Sequence, residues 1–188
     1  MHINGPAQFP FGFTPLSSIN DGNGAQMDFG ILRMKNGETN RDAQNLERAF
    51  LLIGGEVDFH WESFNASAKR GNCFDDAPWV LHVPAGIPVT ITALKDSELS
   101  YHAVENARNF PARLYRPEEC ADEMRGAGTM KETSTRIVRT VFDKSNAPLS
   151  NLVLGEVVTF PGKWSSYPPH HHPQPEIYFY KFMPANGY

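Results

Sequence analysis

Apolar residues in this chain recur in short runs, many alternating with polar ones, and the runs end at Gly, Pro or Asn. A two-residue period with such punctuation predicts strands. Residues 1–24, with Gly, Pro and Asn scattered throughout, predict an irregular arm. Strand signals begin at Met27 with "FGILRM" and the turn "KNGET". "RAFLLIGGEVDFHW" predicts a buried strand, a Gly-Gly break and an alternating strand. "PWVLHVPAGIPVTITAL" predicts two strands around a Pro-Ala-Gly turn, and "ELSYHAVEN" one more. In "RPEECADEMRG", Pro117 at a first helical position, early acids and Gly126 at the stop predict a short helix of one to three turns. A polar linker, "GTMKETST", precedes a second β series: "RIVRTVFD", "NLVLGEVVTF", the turn "PGK" and "SSYPPHHHPQPEIYFYKF". Strands at this spacing predict an all-β sandwich or barrel. The composition shift between Gly126 and Thr135 marks the boundary between two units.

Composition narrows the classes. With 188 residues the chain is long enough to bury a core without staples. Its 13 Phe, 15 Gly and 15 Pro suit a turn-rich β fold. A net charge of -4 with no basic stripe argues against nucleic acid. Cys73 and Cys120 make no disulfide framework and read as buried thiols. The N-terminal residues lack the basic and apolar regions of a signal peptide, and no apolar run approaches a membrane span. The expected compartment is the cytoplasm, without a membrane partner.

Three consecutive histidines, His170 to His172, sit between proline pairs, and Glu176 follows. Side chains of equal parity share a face in extended chain. His170, His172 and Glu176 are all even-numbered, so they converge, while His171 points away. From Glu176 the pattern predicts a strand with Glu176, Tyr178 and Tyr180 on one face and Ile177, Phe179 and Lys181 on the other. Two imidazoles and a carboxylate are a ligand set for a divalent transition metal such as Zn, Mn, Fe or Ni. A solvated, histidine-rich loop is the other reading of the same residues.

H-x-H-x3-E entering a strand resembles the first metal motif of the cupin superfamily. The longer string "LVLGEVVTFPGKWSSYPPHHHPQPEIYFYKF", with "LYRPEECADEMRGAGT" and "TRIVRTV" upstream, resembles the bacterial 5-deoxy-glucuronate isomerases of myo-inositol breakdown. Related 5-keto-4-deoxyuronate isomerases share that architecture with a different motif around the histidines. The resemblance implies a bicupin: residues 1–128 as a first cupin domain with an irregular arm, and 129–188 as a linker and the first strands of a second. Glu47 to Gly54 has the E-x6-G spacing that closes a first cupin motif, but no histidine stands near residues 40–43. Pro84, Ala85 and Gly86 match the second motif, with Val89 at the histidine place. The first domain therefore reads as a metal-free scaffold, and His60, His82 and His102 as hydrogen-bonded strand histidines. The loop between the histidines and Glu176 is shorter than in the family. A second motif in the second domain, the source of a fourth ligand, does not occur in these 188 residues, so the resemblance reads this domain as truncated.

The implied reaction is an aldose–ketose isomerisation of a sugar acid through an enediol, with a divalent metal as cofactor. His170, His172 and Glu176 are its implied ligands. Tyr178 and Tyr180, on the ligand face, are candidate donors to the enediolate. Lys163 and Lys181 are candidate partners for the substrate carboxylate, although parity turns Lys181 away. Trp164 and Tyr167 are candidate pocket walls. The alternatives are a non-catalytic or truncated cupin binding module, a 5-keto-4-deoxyuronate isomerase-like enzyme, or an iron dioxygenase on the same ligands. Apolar "IYFYKFM" is expected to pair with the first domain or with another chain, which would make a homo-oligomer.

Overall fold

The computed structural model describes residues 5–6, 8–22, 24–164 and 170–183. Among them the chain forms β1 (Gly12–Ser17), β2 (Asp28–Met34), β3 (Thr39–Asp42), β4 (Glu47–Trp61), β5 (Phe64–Arg70), β6 (Trp79–Val83), β7 (Val89–Ala93), β8 (Ser97–Val104), β9 (Arg113–Tyr115), β10 (Glu123–Arg125), β11 (Arg136–Phe142) and β12 (Leu154–Thr159). The first nine strands build one sandwich. One layer runs β1-β2-β8-β4-β6-β9, and the other joins β3, β7, β5 and the far half of β4. A separate antiparallel sheet follows, β10-β11-β12.

β4 belongs to both layers. Its first half pairs with β6 and β8, its second half with β5 and β7. The Gly-Gly pair is thus a bend inside one 15-residue strand, where a break was predicted. The register with β8 slips between Leu52 and Gly54. That extra residue flips the inward parity. Phe50 and Leu52 face the core before the bend, Val57, Phe59 and Trp61 after it. Gly55 sits at φ +113, and a Cβ there would lie 2.2 Å from the Ser97 hydroxyl, so only glycine fits.

Between the layers lies an apolar core that includes Leu32, Met34, Leu81, Val89, Ile91, Leu99 and Tyr101. Val89, at the place of a cupin histidine, is 1% exposed within it. The opposite face of the first layer is apolar as well, which is why "AFLLI" is a continuous run. Phe29, Ile31, Ala49, Leu51, Ile53 and Val80 meet Val141, Phe142 and Leu152 of the second sheet region, with Ile177 and Phe179 packed alongside. Two buried arginines fix this junction. Arg70 grips Glu156 of β12 with two bonds of 2.8 and 2.7 Å and donates to the Leu52 and Asp76 carbonyls. Arg139 pairs with Asp122 and donates to the carbonyls of Cys73 and Asp76.

Three local expectations are corrected. The arm 1–24 contains strand β1, which pairs with β2 along its length. The segment read as a helix forms a single 3-10 turn at Pro117–Glu119, and Glu123–Arg125 then pairs with β11. Residues 176–182 carry no strand assignment. They nonetheless alternate, with Ile177 and Phe179 half-buried and Glu176, Tyr178 and Tyr180 exposed. Among the described residues no helix is long and apolar enough to cross a membrane.

Candidate functional site

The segment carrying the candidate residues is held to the sandwich by its odd-numbered side. The Phe179 ring lies 6.0 Å from Phe9 and 5.9 Å from Phe29. Lys181 extends the same attachment, its ammonium 2.8 Å from Glu98 at the start of β8. The even-numbered side is thereby turned outward. Tyr178 and Tyr180 are 59% and 62% exposed and stack on each other with centroids 6.2 Å apart. The parity reading of Glu176 to Tyr180 therefore holds without a ladder to enforce it, because two half-buried side chains suffice.

His172 and Glu176 meet. The His172 Nδ1–H donates to the Gln174 carbonyl at 3.0 Å, and Nε2 faces Glu176 Oε1 at 2.7 Å. A backbone carbonyl on Nδ1 fixes the ring and aims Nε2, the second-sphere arrangement of a metal-binding imidazole. Two ligands ~2.1 Å from one ion at the tetrahedral angle stand about 3.4 Å apart. The 2.7 Å His172–Glu176 contact is therefore that of a direct pair, and both side chains would have to open to admit a cation. His170 stands further out, with its ring centroid 6.1 Å from that of His172. Among the described residues no group of three or more His, Cys, Asp or Glu side chains is assembled to hold a metal ion. In donor type the trio fits a divalent transition metal; in position, two of the three are together.

Tyr178 is coupled to the same carboxylate. Burial pushes its hydroxyl up, and the hydrogen bond to Glu176 and that residue's negative charge push in the same direction. The phenol is thus held protonated, as a donor. Lys163 follows the turn after β12, and its charge acts on Glu132. Trp164 is 56% exposed, with its backbone N–H on the Thr133 carbonyl at 2.7 Å. Tyr167 lies outside the described residues. The ion pair with Glu98 occupies the Lys181 ammonium on the far side of the segment.

The first sandwich has its own polar centre, at the residues that the motif spacing singles out. Glu47 is fully buried on the outer face of β4. Its Oε1 accepts from His82 Nε2 at 2.8 Å and the Ser150 hydroxyl at 2.5 Å, and its Oε2 from the Asn151 N–H at 2.8 Å and Asn106 Nδ2 at 2.6 Å. Burial alone would push this carboxyl up. The bonds, that of His82 foremost, outweigh it and bring the group down to about 2. His82 is stacked on Phe142 at 4.3 Å. His102 donates or accepts at the Ser100 hydroxyl, 3.0 Å away. Both are hydrogen-bonded strand histidines.

Residues 11–188 match the KduI/IolB family. The chain belongs to that family. Relatives named 5-deoxy-glucuronate isomerase from Geobacillus thermodenitrificans and Geobacillus kaustophilus are each 30% identical to it over 176 residues, 85% of this chain and 61% of theirs. A crystal structure of an IolB-like protein from Salmonella typhimurium superposes with a TM-score of 0.76 at 23% identity, over 85% of this chain and 60% of that one. The all-β architecture is thus shared with that IolB-like protein. The chain spans about three fifths of the length of these relatives.

Proposed function

We propose that this chain carries the site of an aldose–ketose isomerase acting on 5-deoxy-glucuronate in inositol catabolism. Residues 1–128 are the scaffold in this reading, and 129–188 bear the reacting groups. Family membership and the names of the Geobacillus relatives support the reaction class. The observation that carries the reading is the convergence of His172, Glu176 and Tyr178 on one outward face.

His170, His172 and Glu176 would hold a divalent ion, Zn, Mn, Fe or Ni. When bound, such an ion supplies Lewis-acid stabilisation of negative charge on a carbonyl oxygen. Isomerisation removes a proton from the carbon beside the aldehyde and returns one at the former aldehyde carbon, and charge accumulates on oxygen in between. The Tyr178 hydroxyl, kept protonated beside Glu176, donates to that oxygen, and Tyr180 stacked on it extends the donor face. Lys163 is the remaining cation for the substrate carboxylate, and Trp164 a wall.

A non-catalytic sugar-acid binding module is the second reading, favoured by the 6.1 Å separation of the His170 and His172 rings. Metal analysis of the purified chain and of a His170→Ala, His172→Ala variant tests the ligands: near-stoichiometric metal is expected in the first and none in the second. Full retention by the double variant refutes the assignment. An NMR assay with 5-deoxy-glucuronate then separates the readings, since a binding module leaves the substrate unconverted.

A further inference from the structure

A cleft of about 680 Å³ opens at one end of the first sandwich, between the loops that precede β4, join β6 to β7, and follow β8. Its volume is that of a small-molecule site. It shares no residue with the segment 170–183. Arg108, exposed at its edge, has an unusual setting. Its Nε donates to Asn106 Oδ1 at 3.2 Å and its Nη2 to Asn151 Oδ1. Both acceptors are neutral, and among the described residues no carboxylate pairs with this guanidinium.

The aim of Arg108 traces back to Glu47. Asn106 Nδ2 is committed to the Glu47 carboxylate and the Leu149 carbonyl, which leaves Oδ1 for Arg108. Asn151 gives its N–H to Glu47 and its Nδ2 to the Glu105 carbonyl, and its Oδ1 is likewise left for Arg108. The buried anion thus orients the Asn106 amide and anchors the Asn151 backbone, the Glu105 carbonyl orients the Asn151 amide, and the two amides hold a cation without neutralising it. The cost of arranging a fork for an oxyanion has been met in folding. Around it the cleft offers Asn45, Asn109 and the Glu105 carboxylate as hydroxyl partners, over Leu46 and Ile87. Glu105, which also lines the cleft, opposes a doubly charged phosphate about twice as strongly as a singly charged carboxylate, whose one charge Arg108 matches.

We propose that this cleft is a second binding site, for a small polyhydroxylated carboxylate held through Arg108. The proposal is independent of the isomerase reading. The probe is D-glucuronate, with D-glucose as the uncharged control, titrated against the 15N-labelled chain. Saturable shifts are expected at the Gly86 and Asn106 amides with glucuronate and not with glucose. They persist in a His172→Ala, Glu176→Gln variant. Arg108→Gln weakens them at least tenfold, the loss expected for a charge-assisted pair, and Arg108→Lys, which keeps the charge and loses the fork, falls between. Arg108 is exposed, so these variants keep the wild-type spectrum elsewhere. Equal affinity in Arg108→Gln and wild type, or shifts confined to residues 170–183, overturns the proposal.

Discussion

Replacing Glu47 with Gln tests the reasoning about the buried carboxylate most directly. The carboxyl is brought from 4.5 to about 2 by the groups that surround it, despite burial. A proton held that much more weakly in the folded state corresponds to about 3 kcal/mol of stability at neutral pH. Because the folded value is the lower one, this stability is fully present above pH ~4.5 and is lost as pH falls toward ~2. Glu47→Gln keeps the shape but turns an amide nitrogen toward donors such as His82 Nε2 or the Asn151 N–H. Urea unfolding of both proteins at pH 7, 5, 4 and 3 measures the gap. It should be about 3 kcal/mol at pH 7 and 5 and shrink at pH 4 and 3, because only the wild type loses the term. A gap below about 1 kcal/mol at pH 7, or one of constant size at every pH, refutes the account.

Other expectations follow from the same structure. His102, pushed down to about 4 by burial, is neutral in the folded chain, so stability should fall by about 1–3 kcal/mol as pH drops from ~6.5 to ~4; His102→Gln should remove that slope from the urea series. Arg70→Met leaves the Glu156 carboxylate without its two-bond partner at the junction and should cost about 3–5 kcal/mol; an Arg70→Met, Glu156→Leu pair should recover much of it. Gly55→Ala should lower Tm by several degrees, and Ser97→Ala should not rescue it, because the Ser97 Cα itself lies 2.6 Å from the added Cβ. Phe179→Ala should speed proteolysis within residues 176–182 while the β4 amides stay protected from exchange.

Much of this was legible in the sequence because the deciding forces are local or periodic. The alternation of Ile177 and Phe179 with Glu176, Tyr178 and Tyr180 can be read directly, and the structure obeys it even without a ladder. The failures share a cause. The helix signals around Pro117 are local, whereas Glu123–Arg125 is recruited by an open edge of β11. β1 contains Pro15 and few β-formers and is defined by its partner β2. "FNASAKR" of β5 buries only Ala68 and Arg70, so its pattern carries little signal. Arg108 was not legible at all. Its setting depends on Asn106 and Asn151, 59 and 104 positions from Glu47, which no spacing rule links.

The first layer of the sandwich buries both of its faces, and this arrangement determines what the rest of the chain can do. A half-solvated layer would present a polar outer face and leave the second sheet nothing to dock on. Here Phe29, Ala49, Leu51 and Val80 supply an apolar floor for Val141, Phe142 and Leu152. Into that contact the chain places charges where they are matched: Glu47 against the donors of His82, Asn106, Ser150 and Asn151, Arg70 against Glu156. The site segment uses the same floor. Phe9 and Phe29 receive Phe179, so the direction in which Tyr178 and Glu176 point is set by residues more than 140 positions earlier. In the proposed reading the first sandwich need not donate a single ligand to be part of the site, because it fixes the face on which Glu176 stands.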